Sequence, residues 1–95
     1  MDIYTNIEQD TLRRLEEALL AFVPEGRFCL DGSLKDGCMV LARGGGKWHV
    51  FFREGILIED VTVHDTLEDA AVQLIKNVAP SSDDEEKMRL RFLYN

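Results

Sequence analysis

Gly44-Gly45-Gly46-Lys47-Trp48-His49-Val50-Phe51-Phe52-Arg53-Glu54-Gly55 is the stretch on which the fold turns. Between two glycine-marked turns the chain runs extended, so that Trp48, Val50 and Phe52 point to one face and His49, Phe51 and Arg53 to the other. Both turns are short enough to make the neighbouring strands antiparallel hairpin partners. Working outward, short apolar runs predict strands at 27–33, 38–43, 47–53 and 56–63, with Lys35-Asp36-Gly37 as the remaining connector. The expectation is a four-stranded antiparallel meander. An aromatic on each face of the third strand leaves two possibilities for the second face. Either the second helix covers it, or Phe51 and its neighbours contribute to a partner surface.

Helical periodicity flanks the strands on both sides. Thr5-Asn6-Ile7-Glu8 is a capping-box pattern, and Leu12, Leu15, Leu19, Phe22 and Val23 follow at three- and four-residue spacing until Pro24 and Gly26 stop the helix. After the strands, Asp65-Thr66-Leu67-Glu68 has the form of a second capped start. Leu67, Ala70, Ala71, Leu74, Ile75 and Val78 then mark one face of a helix that Pro80 closes. Residues 80–86 read as an acidic linker. Beyond it, Met88, Leu90, Phe92 and Tyr94 alternate with Arg89 and Arg91, which predicts a short C-terminal strand with the apolar set facing inward. The fold class expected is α+β, residues 1–95 forming a single domain: N-terminal helix, four-stranded antiparallel meander, second helix and short C-terminal strand.

The composition agrees with one small domain. Of the 95 residues, 45% are apolar and 31% charged, enough for a core in a chain of this length. No apolar run approaches the ~18 residues of a membrane span, and the N-terminus has no basic or apolar leader segment, so a cytoplasmic protein with no membrane contact is expected. Cys29 and Cys38 have no histidine or further cysteine at zinc-ligand spacing. They are expected to be reduced, partly buried thiols, with a cross-hairpin disulfide as the alternative.

Familiar catalytic patterns fail on inspection. Gly44-Gly45-Gly46-Lys47 lacks the leading glycine, the following Ser or Thr and the helix of a phosphate loop. His64-Asp65 is a two-residue pair leading into a helix, and Ser33, Ser81 and Ser82 have no activating base at a recognisable spacing. Asp83-Asp84-Glu85-Glu86 lacks the alternating ligands and central glycine of a calcium loop. No enzyme, metal or cofactor is expected.

The informative feature is the placement of charge. Eighteen acids against eleven bases give a net charge of −7, which disfavours nucleic acid and anionic lipid as direct partners. Residues 54–86 alone hold ten acids and one base. This is either a solvated face or an anionic patch that steers a basic protein partner. On the second reading the partner-binding candidates are Glu54, Glu59, Asp60, Asp65, Glu68, Asp69, Asp83 and Asp84.

The run Trp48-His49-Val50-Phe51-Phe52-Arg53-Glu54-Gly55, followed by another strand and then Leu67-Glu68-Asp69-Ala70-Ala71, resembles small immunity proteins of bacterial polymorphic-toxin and contact-dependent growth inhibition systems. The likeness covers about a third of the chain. It implies a small, acidic, cytoplasmic protein that binds one cognate toxin domain and obstructs its active site. Many such toxins are nucleases with basic substrate grooves. The leading expectation is therefore an inhibitor acting by stoichiometric binding. A non-catalytic adaptor or regulatory subunit of a larger assembly is the alternative.

Overall fold

Alternation along the central strand becomes the two faces of a mixed sheet. In the computed structural model, which describes residues 4–30 and 36–94, the elements follow the order α1 (Asn6–Leu20), a single 3-10 turn (Glu25–Arg27), β1 (Phe28–Cys29), β2 (Cys38–Gly44), β3 (Lys47–Glu54), β4 (Leu57–His64), α2 (Leu67–Val78) and α3 (Ser82–Tyr94). The sheet order is β1-β2-β3-β4, so among the described residues β4 is a free edge. The β2–β3 and β3–β4 pairs are antiparallel hairpins. Gly45 and Gly46 make the first turn, with φ of 61° and 79°. Two successive positive φ values suit a two-residue hairpin turn whose twist matches its strands, and glycine adopts them without steric cost.

Side chains from β1 to β3 divide as the pattern requires. Phe28, Met39, Leu41, Trp48 and Val50 join the main core with Leu15 and Leu19 of α1, Leu67, Ala70, Ala71, Leu74 and Ile75 of α2, and Met88 and Phe92 of α3. Full burial of a leucine or valine contributes roughly 1.5–3 kcal/mol, so this face carries most of the stability. Cys29, Cys38, Val40 and Phe51 form a smaller cluster on the opposite face. Both cysteines are buried. All three helices therefore pack on the Trp48 face. The second helix does not cover the Phe51 face, because its apolar stripe is already spent on β2 and β3 and on α1 and α3.

Local signals set the helix starts. The Thr5 hydroxyl accepts from the Glu8 N–H at 3.1 Å while the Glu8 carboxylate accepts from the Thr5 N–H at 2.9 Å, which completes the capping box. In α2 the cap is Thr66, one residue later than the pattern starting at Asp65 implies. Its hydroxyl accepts from the Asp69 N–H at 3.1 Å, and Asp65 is left to pair with Lys47.

The structure corrects three expectations. First, β1 pairs with β2 in parallel, Phe28 opposite Met39 and Cys29 opposite Val40, so the sheet is mixed and not a meander throughout. A two-residue hairpin turn would enforce antiparallel pairing, but residues 30–37 separate β1 from β2 in the sequence, too many for such a turn. Of the predicted connector, Lys35 lies outside the described residues. Asp36 accepts from the Gly55 N–H and the Gly37 N–H donates to the Arg53 carbonyl at 2.7 Å, so both are held at the end of β3. Second, β1 is only two residues long, and residues 31–33 of the predicted first strand lie outside the described residues.

Third, the C-terminal piece is a helix. Ser82–Glu86 is not a linker but the first turns of α3. The Ser81 hydroxyl accepts from the Asp84 N–H at 3.1 Å as a cap, and Asp83, Asp84 and Glu85 lie where the helix dipole favours negative charge. Met88 and Phe92, one turn apart, are completely buried, while Leu90 and Tyr94 are exposed. The alternation of the sequence is real but coincides with an i, i+4 pair, and burial follows the helical spacing.

Candidate functional site

Charge on the N-terminal half is largely neutralised where it arises. Arg13 bridges Asp10 at 2.7 Å and Glu17 at 3.0 Å, and Arg14 reaches Asp10 at 3.5 Å. Glu8 pairs with Arg43 at 3.0 Å, and the Arg43 guanidinium lies over both Tyr4 and Trp48, 5.8 and 5.7 Å from their ring centroids. The Thr5 N–H, partly opposed by desolvation and aided by Arg43, holds the Glu8 carboxyl below the usual glutamate range. The Arg13 hydrogen bond does the same for Asp10.

The eight acidic candidates separate into three places. Glu54 ends β3, and Glu59 and Asp60 lie in β4. Asp65 sits between β4 and α2, with Glu68 and Asp69 in the first turn of α2. Asp83 and Asp84 occupy the first turn of α3. Helix α2, with twelve residues at about 1.5 Å each, separates the second group from the third by roughly 18 Å along its axis. They do not make one patch. Asp65 is already paired with Lys47, whose hydrogen bond holds its carboxyl below the usual aspartate range. Glu68, Asp69, Asp83 and Asp84 stabilise helix N-termini, each by about 0.3–1 kcal/mol, which accounts for their positions without a partner.

Glu54, Glu59 and Asp60 have no such duty. No ion pair engages them among the described residues, and the strand that carries two of them is the free edge of the sheet. In β4 the pairs Val50–Thr62 and Phe52–Glu59 leave Asp60 and Val61 together opposite Phe51. That is a β-bulge, with Asp60 at φ 55°. Aspartate is among the few non-glycine residues that enter this region with any frequency. The bulge places the exposed Asp60 halfway along the edge.

Exposed apolar side chains share the hairpin with these carboxylates. Ile56 in the turn is 96% exposed, and Leu57, Ile58, Val61 and Val63 are exposed along β4. Pairing places Ile58 beside Arg53 and Val63 beside His49, so with Val61 they extend the Phe51 face. Its β2 side is closed, Val40 being completely buried, and its β4 side is open. Sequence reasoning located this strand and its acids but did not identify it as an exposed edge. The uninterrupted Ile56-Leu57-Ile58 run next to Glu59-Asp60 was the available signal.

The remaining candidates offer little chemistry. His64 Nε2 lies 2.9 Å from the Thr62 hydroxyl, and with Asp65 turned to Lys47 the two neighbours in sequence do not act as a pair. Among the described residues no three His, Cys, Asp or Glu side chains gather as a metal site. A cleft of about 330 Å³ opens between Phe22, Pro24, Arg27, Met39, Phe52 and Val78. The described residues that line it include no hydroxyl, thiol, imidazole or carboxylate. No helix among the described residues is long and apolar enough to cross a membrane.

No protein-family model, curated protein or solved structure matches the chain.

Proposed function

We propose that this chain is an immunity protein: it binds a cognate bacterial toxin domain of basic surface, a nuclease being the expected kind, and neutralises it in the cytoplasm by covering its active site or substrate groove. The observation that carries this reading is the β3–β4 hairpin, where Glu54, Glu59 and Asp60, engaged by no ion pair among the described residues, share the hairpin with exposed Ile56, Leu57, Ile58, Val61 and Val63. Apolar contact area supplies affinity, and carboxylates without internal partners supply attraction to a cationic surface at low desolvation cost. An inhibitor of this kind needs no catalytic group of its own. The net charge of −7 suits a competitor for a groove built to hold a polyanion.

The test is capture from the native cytoplasm with the whole chain as bait, followed by expression of the captured protein with and without it. The reading expects a protein that arrests growth alone and is harmless with this chain at equal amounts. Recovery of a non-toxic, multisubunit assembly would overturn it in favour of an adaptor.

A further inference from the structure

An exposed edge strand presents a row of unpaired backbone N–H and C=O groups, and folded proteins commonly protect such rows with lysines, proline, a bulge or a covering element. Strand β4 is an edge of eight residues with no proline, lysine or arginine, and among the described residues its protection consists of one bulge and two acids, Asp60 and Glu59. Protection by one sign of charge is selective. It repels acidic strands, including β4 of a second copy of this chain with its net charge of −7, and it leaves the edge open to a basic one. Five of the ten exposed large apolar side chains among the described residues fall between Ile56 and Val63, so the apolar surface is concentrated here and not scattered. On the Phe51 face Ile58, Val61 and Val63 are 51%, 52% and 55% exposed, a spacing that alternate residues of an added strand would cover.

We propose that the free edge of β4 takes an extended basic segment of the partner protein as a fifth strand, its apolar side chains lying on Ile58, Val61 and Val63 and its cations beside Glu59 and Asp60. Main-chain hydrogen bonds to β4 provide the affinity, and the two carboxylates select the charge of the segment. Thr62–His64, beyond the bulge, offers the more regular stretch for pairing, because the ladder to β3 is uninterrupted there from Val50–Thr62 to Trp48–His64. This deepens the reading above and rests on its basic protein partner, but it concerns the edge alone.

The experiment needs no toxin. The isotope-labelled whole chain is titrated with a short blocked peptide of alternating lysine and valine, with the same peptide N-methylated along one edge, and with a glutamate–valine counterpart, while amide shifts and hydrogen exchange are followed. The lysine–valine peptide is expected to shift the amides of 57–64 and slow their exchange. N-methylation should weaken it by at least about tenfold, since main-chain pairing is lost while charge is kept. The acidic peptide should leave the strand unchanged. Absence of any shift in β4, equal binding after N-methylation, shifts centred on the starts of α2 and α3, or a concentration-dependent shift of β4 in the free chain would each overturn strand addition. None of these results touches the growth-protection experiment, which decides the inhibitor reading separately.

Discussion

Arg14 holds Phe92 from two directions: its guanidinium lies 5.3 Å from the centroid of the Phe92 ring and donates to the Phe92 carbonyl at 2.9 Å. One side chain of α1 thus clamps both the ring and the backbone of α3, 78 residues later. Stacking of this type contributes about 0.5–1 kcal/mol at exposed sites and more when desolvated. The hydrogen bond satisfies a carbonyl in the last turn of α3 that has no helical donor.

This contact leads to a direct test of the C-terminal helix. Phe92→Ala should destabilise the chain by about 3–5 kcal/mol and Met88→Ala by about 2–5 kcal/mol in denaturant unfolding. Leu90→Ala, on the exposed side of the helix, should change stability by no more than about 0.5 kcal/mol. A strand would make Leu90 as costly as Phe92.

The contrast explains what could be read from the chain and what could not. Helix α1 and the β2–β3 hairpin were legible because Thr5, Glu8, Gly45 and Gly46 act on backbone groups within a few residues of themselves. In the last segment Met88, Leu90, Phe92 and Tyr94 satisfy a period of two, and Met88 with Phe92 satisfies a helical one. What decides between them is burial against distant α1, together with the Ser81 cap. The parallel direction of β1 is likewise not written in its two residues. At the candidate site the acids were legible as a charge run. Their division among an edge strand and two helix starts was not, since charge counts along a chain carry no direction in space.

Two glycines should respond oppositely to alanine. Gly45 has φ of 61° with no atom near an added Cβ, so Gly45→Ala meets backbone strain alone and should cost about 1–2 kcal/mol. Gly26 has open space and no positive φ, and Gly26→Ala should stabilise by about 0.4–1 kcal/mol by restricting the unfolded chain. Thermal unfolding of the two variants resolves the signs.

Glu8 gives the stability a defined acid limb. Its carboxyl is held below the usual range in the fold, by the Thr5 N–H first and then by Arg43, so the ionised form is favoured by folding. That contribution is complete above the unfolded value of about 4.3 and is lost as pH falls through the lower folded value. Glu8→Gln should therefore be less stable than the parent at neutral pH, and the two unfolding curves should converge as pH falls below about 4. A constant gap across that range would show that charge on Glu8 is immaterial.

The most direct test of the central claim is the association rate of the chain with its captured partner as a function of salt, compared between charge-reversal variants. Glu59→Lys with Asp60→Lys leaves the helix starts intact and should slow association by about tenfold or more at low ionic strength, the difference shrinking as salt screens it over ~8 Å. Asp83→Lys with Asp84→Lys, across α2 from Glu68 and Asp69, should affect stability more than rate. Association of the Glu59 and Asp60 variant at the parent's rate and with the parent's salt dependence would contradict a β4 edge that recruits a basic partner.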